Sequence, residues 1–173
     1  MRSLVVAVFL GALFAAPLAH ADALKVGDRL AELDVAVDGG GKSFKLKALK
    51  GSWILVTVGA DWCKPCAKEL PAWDKLQPEF KDKVKFVAIN IADNIDDGKK
   101  FNKKLKLSNL TLIYMPADKS AVVAKYGSDN MPTTFIADPQ GVIRYVRAGF
   151  EKGDVSGETK KMRDQLKKLT AAK

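Results

Sequence analysis

The sequence predicts an α/β fold in which a mixed central β-sheet carries helices on both faces. Two apolar runs rich in β-forming residues, 53–58 and 84–91, have the length and composition of strands that are buried on both sides. Each run is followed by a segment with helical periodicity, and strand–helix–strand units imply parallel, right-handed crossovers. A hairpin pattern over residues 133–146 adds antiparallel strands, so the predicted sheet is mixed.

The chain before the first buried strand predicts a β-hairpin. Apolar residues alternate with acidic ones over 33–37, and the alternation of apolar and polar residues resumes over 42–46. The glycine-rich segment 38–41 between them suits a tight turn. Two short strands joined by this turn are therefore expected.

The remaining elements follow from helical periodicity and from turn residues. Apolar residues recur at helical steps from Cys66 to Phe80 and predict one helix with an apolar face. A second helix is expected to be capped by Asp96 and Asp97 and to run to about residue 107. The predicted order ends with a strand over 110–114, a helix over 119–126 stopped by Gly127, strands over 133–137 and 142–146 around a type I turn, and an amphipathic helix from residue 155.

Residues 1–21 have the layout of a secretory signal. Arg2 supplies a positive end, residues 4–16 form an uncharged apolar run, and Ala19-His20-Ala21 offers a cleavage site after Ala21. The alternative is a membrane anchor, but the apolar run is shorter than the roughly 20 residues that a spanning helix needs. We expect a cleaved signal over 1–21, one domain over 22–173, and export to the periplasm or cell envelope.

Charge and histidine content exclude several kinds of site. The chain carries 29 Lys and Arg, 20 Asp and Glu and one His, for a net charge of +9. Removal of residues 1–21 takes Arg2 and His20 with it and leaves a net charge of +8 and no histidine. A Ser-His-Asp triad, a Cys-His pair and a histidine-ligated metal are therefore excluded.

The lysines fit the solvated faces of helices, and no basic stretch is interleaved with aromatic residues in a nucleic-acid-binding pattern. We therefore expect no nucleic-acid partner. The alternative to a merely solvated surface is attraction toward an acidic partner or an anionic membrane surface.

Cys63 and Cys66 are the only cysteines and allow three interpretations. A structural disulfide would close a very small loop and constrain the unfolded chain little. A zinc site needs about four ligands and would require carboxylates or a second chain. A redox-active dithiol needs a thiol at a helix N-terminus, a second thiol within reach and a strand leading to both, and all three patterns are present. We expect no metal and no cofactor other than a Cys63–Cys66 disulfide.

The residues around the two cysteines suggest separate roles. Cys63 lies at the predicted helix start, where unpaired N–H groups and the macrodipole favour a thiolate, and Lys64 adds a cation. Cys63 is therefore expected to be the exposed, attacking sulfur, and Cys66, one turn further in, the resolving thiol. Pro65 stiffens the connection, and Trp62 is interpreted as a flat contact surface beside the sulfur rather than a core side chain.

A second proline-containing segment, Met131-Pro132-Thr133-Thr134, precedes a predicted strand. Most such prolines are trans residues that end a loop. The redox interpretation places Pro132 opposite Cys63 in the cis form. The backbone of Met131 could then pair with an extended substrate segment.

The combined motifs resemble the thioredoxin superfamily, in particular its exported TlpA/ResA-like branch, over about residues 24–170. The resemblance rests on Trp62-Cys63-x-Pro65-Cys66 after a buried strand and on Met131-Pro132-Thr133-Thr134-Phe135 downstream. Further matching features are Asp38-Gly39 in the hairpin, Leu46-x-x-Leu49-x-Gly51, Cys66-x-x-Glu69-x-Pro71, and an extra helix and strand at about 97–114.

The resemblance implies a thioredoxin fold with an N-terminal hairpin, an inserted helix–strand unit and a cis Pro132. It also implies a reducing role toward oxidised partner proteins, often apocytochrome c during cytochrome c maturation or other envelope proteins. Electrons would return from a membrane thiol–disulfide reductant.

One departure from the family pattern concerns the proton acceptor. Many thioredoxins carry a buried Asp in the strand before the dithiol, and Thr57 stands at that place here. Glu69 is then the acid placed to exchange a proton with Cys66. The alternative for Glu69 is an exposed helix carboxylate near the N-terminus of the helix. Lys64-Pro65 also replaces the Gly-Pro of cytoplasmic thioredoxins, which is expected to change the redox potential.

Two other functions use the same cysteines. A thiol peroxidase needs a Thr before the reactive cysteine and an Arg beside it, but Ala60-Asp61-Trp62 contains no Thr and no Arg occurs between Arg29 and Arg144. A non-catalytic carrier would use Cys63 and Cys66 as soft ligands for Cu(I). Disulfide exchange remains the leading prediction.

Overall fold

The structure, a computed structural model, describes residues 23–33, 35–116, 120–127 and 130–171. The predicted signal, residues 1–21, lies outside the described residues. In chain order the strands and α-helices are β1 (Val37–Asp38), β2 (Trp53–Gly59), α1 (Cys66–Leu76), β3 (Val84–Ala92), α2 (Ile95–Lys104), β4 (Thr111–Pro116), α3 (Ser120–Lys125), β5 (Thr133–Ala137), β6 (Ile143–Ala148) and α4 (Val155–Ala171). Short 3-10 helices at Leu46–Leu49 and Gln77–Phe80 precede β2 and follow α1.

The strands form one sheet in the order β1-β4-β3-β2-β5-β6. β2 pairs in parallel with β3, and β3 pairs in parallel with β4. β1, β5 and β6 each join the sheet in antiparallel orientation. The predicted mixed sheet is confirmed, and β2 lies near its centre, where both faces are covered.

Alternate residues of β2 pack into two separate apolar cores. Val56 and Val58 belong to the core on one face, together with Val123 of α3 and the N-terminal segment. Leu55 belongs to the core on the other face, together with Trp73 of α1 and residues of α4. Helices therefore cover both faces, as predicted. Among the described helices, none is long and apolar enough to cross a membrane.

The N-terminal hairpin is shorter than predicted. Among the described residues its two arms are joined by an isolated bridge from Val37 to Ser43, while the two residues of β1 pair with β4. The Asp38 carboxylate accepts the backbone N–H groups of Gly40 and Lys42 and so shapes the turn. Leu46, predicted to end a strand, begins a 3-10 helix instead, because its buried side chain packs into the core beneath the sheet.

Element ends differ from the predictions by a few residues. The predicted cap of α2 is wrong, since Asn94 is the N-cap and its side chain accepts the N–H of Asp96. Asp96 and Asp97 occupy the first helical turn, where the helix dipole favours acidic side chains. The predicted stop of α3 at Gly127 is confirmed, and this glycine has a φ of 69°.

Candidate active site

The cysteine pair lies where β2 passes into α1. Pro65 is the N-cap of α1 and already has helical dihedral angles, with φ −63° and ψ −34°. Cys63 and Cys66 are joined by a disulfide across a Cα–Cα distance of 5.3 Å. The backbone N–H of Cys66 donates to Cys63 Sγ at 3.2 Å. The helix N-terminus is therefore directed at the Cys63 sulfur, as the sequence predicted.

Both cysteines are buried. Cys63 is 4% exposed and Cys66 is 1% exposed. The prediction that Cys63 is the exposed sulfur is wrong for this disulfide form, because Cys63 packs in a small apolar cluster with Ala60 and Cys66, and Met131 packs against that cluster. Cys63 is still the less deeply buried of the two.

Gly59 at the end of β2 allows α1 to approach the strand. A Cβ atom at this position would lie 2.7 Å from Cys66 Sγ and 3.1 Å from Cys66 Cβ. The first of these distances is shorter than real Cβ contacts, so any larger residue would displace the sulfur or the helix. Sequence reasoning missed this requirement, although the glycine directly before a Cys-x-x-Cys segment was a usable signal.

Glu69 lies in the interior of the site. Glu69 is only 1% exposed. The hydroxyl of Thr57 donates to Oε2 at 2.6 Å, and that of Thr134 donates to Oε1 at 2.8 Å. The alternative of an exposed helix carboxylate is therefore wrong. Burial raises the pKa of Glu69 above its ordinary value, and the two hydroxyl hydrogen bonds oppose that rise.

The two threonines that hold Glu69 come from neighbouring strands. Thr57 of β2 is directly opposite Thr134 of β5 in the antiparallel pairing, and their hydroxyl oxygens are 3.2 Å apart. A hydroxyl can donate or accept a hydrogen bond, so this pair can serve either protonation state of the carboxyl group. Sequence reasoning singled out Thr57 but assigned no role to Thr134.

The second motif faces the cysteines from the start of β5. The Met131–Pro132 peptide bond is cis, which confirms the geometry that the resemblance implied. Pro132 is buried, and its carbonyl oxygen accepts the N–H of Gly149 at 2.7 Å. Met131 is partly buried against the cluster that contains Cys63. The fold thus brings together two segments that are separated by some 65 residues in the chain.

The rim of the site carries large exposed side chains. Trp62 is 66% exposed, which agrees with its interpretation as a surface side chain beside the sulfur. Lys64 is exposed as well, and Pro65 is partly buried. These residues leave a basic and aromatic border next to Cys63.

The chemistry available to the site is that of two thiols and one carboxyl group. In the part of the chain that the structure describes, no group of three or more His, Cys, Asp and Glu side chains is arranged to hold a metal ion. Cys63 and Cys66 can cycle between a disulfide and a dithiol, and the buried carboxyl group of Glu69 lies on the helix that begins at Cys66.

Comparison with known proteins gives a consistent result. Residues 26–146 match the model of the AhpC/TSA family. The chain is 36% identical over 109 residues to the thioredoxin-like protein YneN of Bacillus subtilis, with 63% of this chain and 64% of that protein covered. It is 35% identical over 140 residues to the thiol-disulfide oxidoreductase ResA of Bacillus thuringiensis, with 79% and 74% covered. A crystal structure assigned as the thiol:disulfide interchange protein DsbE of Chlorobium tepidum superimposes with a TM-score of 0.70 at 26% identity, covering 83% of this chain and 99% of that one.

Proposed function

The chain belongs to the AhpC/TSA family and is a ResA-like thiol-disulfide oxidoreductase of the thioredoxin superfamily, and from this premise we propose that it reduces disulfide bonds of partner proteins in the cell envelope. The observation that carries the proposal is the hydrogen bond from the Cys66 N–H to Cys63 Sγ at the start of α1. Such a donor stabilises a thiolate, which is the form of cysteine that attacks a disulfide.

In the first step the Cys63 thiolate attacks one sulfur of a partner disulfide. The partner's S–S bond breaks, a mixed disulfide forms with Cys63, and the other partner sulfur leaves as a thiolate. The backbone of Met131 beside the cis Pro132 pairs with an extended segment of the partner. Trp62 contributes a flat contact surface, and Lys64 and Pro65 line the border.

In the second step Cys66 releases the partner. Its thiol loses a proton, its sulfur attacks Cys63 Sγ, the mixed disulfide breaks, and the partner leaves with its second sulfur reduced. The pair ends as the Cys63–Cys66 disulfide, so two electrons have passed to the partner. A buried thiol resists ionisation, and Glu69 accepts its proton directly or through one water. The raised pKa of Glu69, caused by burial, keeps this carboxyl able to bind a proton closer to neutral pH.

The cellular setting extends the proposal. We assign residues 1–21 as a cleaved signal and 22–173 as the exported domain, on the strength of the apolar run and the Ala19-His20-Ala21 site. Oxidised envelope proteins, apocytochrome c among them, are the proposed substrates. A membrane thiol–disulfide reductant returns two electrons to Cys63 and Cys66 after each cycle.

Trapping in the native host tests the exchange. In a Cys66→Ala variant Cys63 still attacks, but no internal thiol resolves the mixed disulfide, so covalent partner complexes accumulate on non-reducing gels. A Cys63→Ala variant is the matched control and gives far fewer complexes. Equal yields from the two variants contradict the proposed roles. Consumption of hydrogen peroxide in preference to reduction of insulin disulfides contradicts the proposed activity and favours a thiol peroxidase.

A further inference from the structure

A groove between α1 and α4 lies beside the disulfide and has no part in the exchange steps described above. Its volume is about 370 Å³. Ala67, the first residue after the resolving cysteine, lies at one end of it. The groove is lined by small and apolar residues together with two lysines: Ala67, Lys68, Pro71, Ala72, Lys75, Val155 and Thr159.

The two lysines give this groove a basic character. Lys68 and Lys75 are both exposed, and neither has an ion-pair partner among the described residues. By contrast, Lys160 on the neighbouring helix pairs with Asp164 at 2.7 Å. Since Lys68 and Lys75 are seven residues apart, they lie on the same side of α1, separated by about 10 Å along the helix axis.

The acidic residues of the two helices do not neutralise the lysines. Glu69 and Asp74, the acidic residues of α1, are both buried. Glu158 of α4 is buried and forms ion pairs with Arg147 and Lys161. The exposed Asp154 precedes α4, and its carboxylate accepts the N–H of Gly157. Asp164 of α4 is exposed but pairs with Lys160. Lys68 and Lys75 are therefore the exposed charged residues of α1 itself.

We propose that this groove receives an extended acidic segment of the partner protein, next to the partner's disulfide; the inference rests on the proposed function. The apolar floor takes an apolar side chain of that segment, while Lys68 and Lys75 pair with its carboxylates. A separation of about 10 Å corresponds to about three residues of extended chain, so acidic residues two to four positions apart reach both lysines. The positive charge also accelerates the encounter with an acidic partner.

The shape of the groove selects a protein segment over a membrane surface. An anionic bilayer presents a broad plane, and it attracts basic side chains that project together from a flat or convex face. The groove between α1 and α4 is concave and has an apolar floor, which a single extended chain can fill.

Charge reversal tests the inference on the full reduced domain. The test variant is Lys68→Glu/Lys75→Glu. The matched control is Lys81→Glu/Lys85→Glu, which makes the same charge change at two exposed lysines near the opposite end of the sheet from the disulfide. The probes are three disulfide-looped peptides, flanked by Glu, Ser or Lys, and the small neutral compound 2-hydroxyethyl disulfide. The measurement is the second-order rate constant of thiol loss at low and high salt.

We expect the unaltered domain to reduce the acidic peptide about tenfold faster than the Ser peptide at low salt, with the advantage lost at high salt. The test variant loses that advantage and the control variant retains most of it, while both reduce 2-hydroxyethyl disulfide at the unaltered rate. A milder Lys68→Gln/Lys75→Gln variant shows an intermediate loss, which separates a charge effect from misfolding.

Three results overturn the inference. Equal rates for all three peptides, with normal reduction of 2-hydroxyethyl disulfide, reject the groove and leave the proposed exchange standing. Failure to reduce any disulfide rejects the proposed function and the groove together. Binding to phosphatidylserine vesicles that Lys68→Glu/Lys75→Glu abolishes, while the peptide rates stay unchanged, assigns the lysines to a membrane surface instead.

Discussion

Glu69 and Asp74 are two buried carboxyl groups on α1, five residues apart, and their hydrogen-bond partners differ in kind. Glu69 accepts hydrogen bonds from the hydroxyls of Thr57 and Thr134. Asp74 Oδ1 accepts the backbone N–H groups of residues 108–110, at distances of 2.7 to 3.2 Å. The first carboxyl group lies one turn beyond Cys66, and the second ties the helix to the segment that enters β4.

These hydrogen-bond partners suit the two carboxyl groups to different roles. A backbone N–H can only donate, so the segment 108–110 needs an acceptor at Asp74 at all times. A hydroxyl can donate or accept, so the threonines can follow a change in the protonation of Glu69 without losing their hydrogen bonds. The same functional group on one helix is thus suited to fixing structure in one place and to exchanging a proton in the other.

The largest effect is expected from substitution of Asp74, and it concerns the free energy of unfolding. Asp74→Ala leaves three backbone N–H groups of the chain before β4 without their acceptor, and we expect the free energy of unfolding to fall by about 2–3 kcal/mol. Asp74→Asn keeps one oxygen and loses less. Urea unfolding of the oxidised protein measures both. The rate of disulfide exchange per folded molecule stays unchanged, and a slower exchange with unaltered stability would contradict the structural role.

At the proposed proton acceptor, the Glu69→Gln substitution keeps the shape of the side chain and removes the base. We expect resolution of the mixed disulfide to slow by about tenfold, equivalent to about 1.4 kcal/mol, while the initial attack by Cys63 is much less affected. Stopped-flow kinetics separates the two steps. An unchanged resolution rate would make Glu69 a structural carboxyl group of the same kind as Asp74.

The threonine hydroxyls allow a second test of Glu69, because their hydrogen bonds lower the pKa that burial raises. Thr57→Val removes the stronger of these two hydrogen bonds, so the pKa of Glu69 rises further and the pH profile of the resolution step moves to higher pH. We expect the free energy of ionising Glu69 to change by about 1 kcal/mol, the usual size for one hydrogen bond. Thr134→Val moves the profile in the same direction, and Thr170→Val, on α4, leaves it in place. A profile that moves to lower pH would contradict the assignment.

The smallest effect concerns stability as a function of pH. Because burial raises the pKa of Glu69, the folded state keeps this proton to higher pH than the unfolded state, whose value lies near 4.5. The stability that this group contributes is fully present below 4.5 and is lost as pH rises through the folded pKa. The Glu69→Gln variant has no such titration and keeps its stability across this range. Its unfolding free energy therefore increases relative to that of the unaltered protein as pH rises. A pH-independent difference between the two proteins would contradict the raised pKa.

The two carboxyl groups also show which features the sequence alone can predict and which it cannot. Local patterns predicted the buried strands, the helix after the dithiol and the hairpin turn at 138–141, because burial periodicity and turn chemistry operate over a few residues. The partners of Asp74 lie 34 to 36 residues away and follow no periodic pattern. The contact between Thr57 and Thr134 joins residues 77 apart and depends on strand register, which a strand pattern does not specify.

Two predictions failed for related reasons. Cys63 was predicted to be exposed from its place at a helix end, but that argument contains no information about Met131, which packs over the cysteines from a distant loop. The cap of α2 was predicted at Asp96 and Asp97 from residue type alone, but Asn94 also has a capping side chain, and which of these residues caps the helix depends on backbone geometry.

The close approach of Gly59 to Cys66 couples these two positions in evolution. A methyl group at position 59 overlaps the Cys66 sulfur, so alanine is acceptable there only after the sulfur is lost or the helix has shifted. Each change is harmful by itself, yet once the sulfur is gone the 2.7 Å overlap disappears and only the 3.1 Å approach to the Cβ of residue 66 remains. A descendant that keeps the dithiol is therefore held to glycine at the end of β2, whereas one that abandons redox chemistry is held to it less strictly.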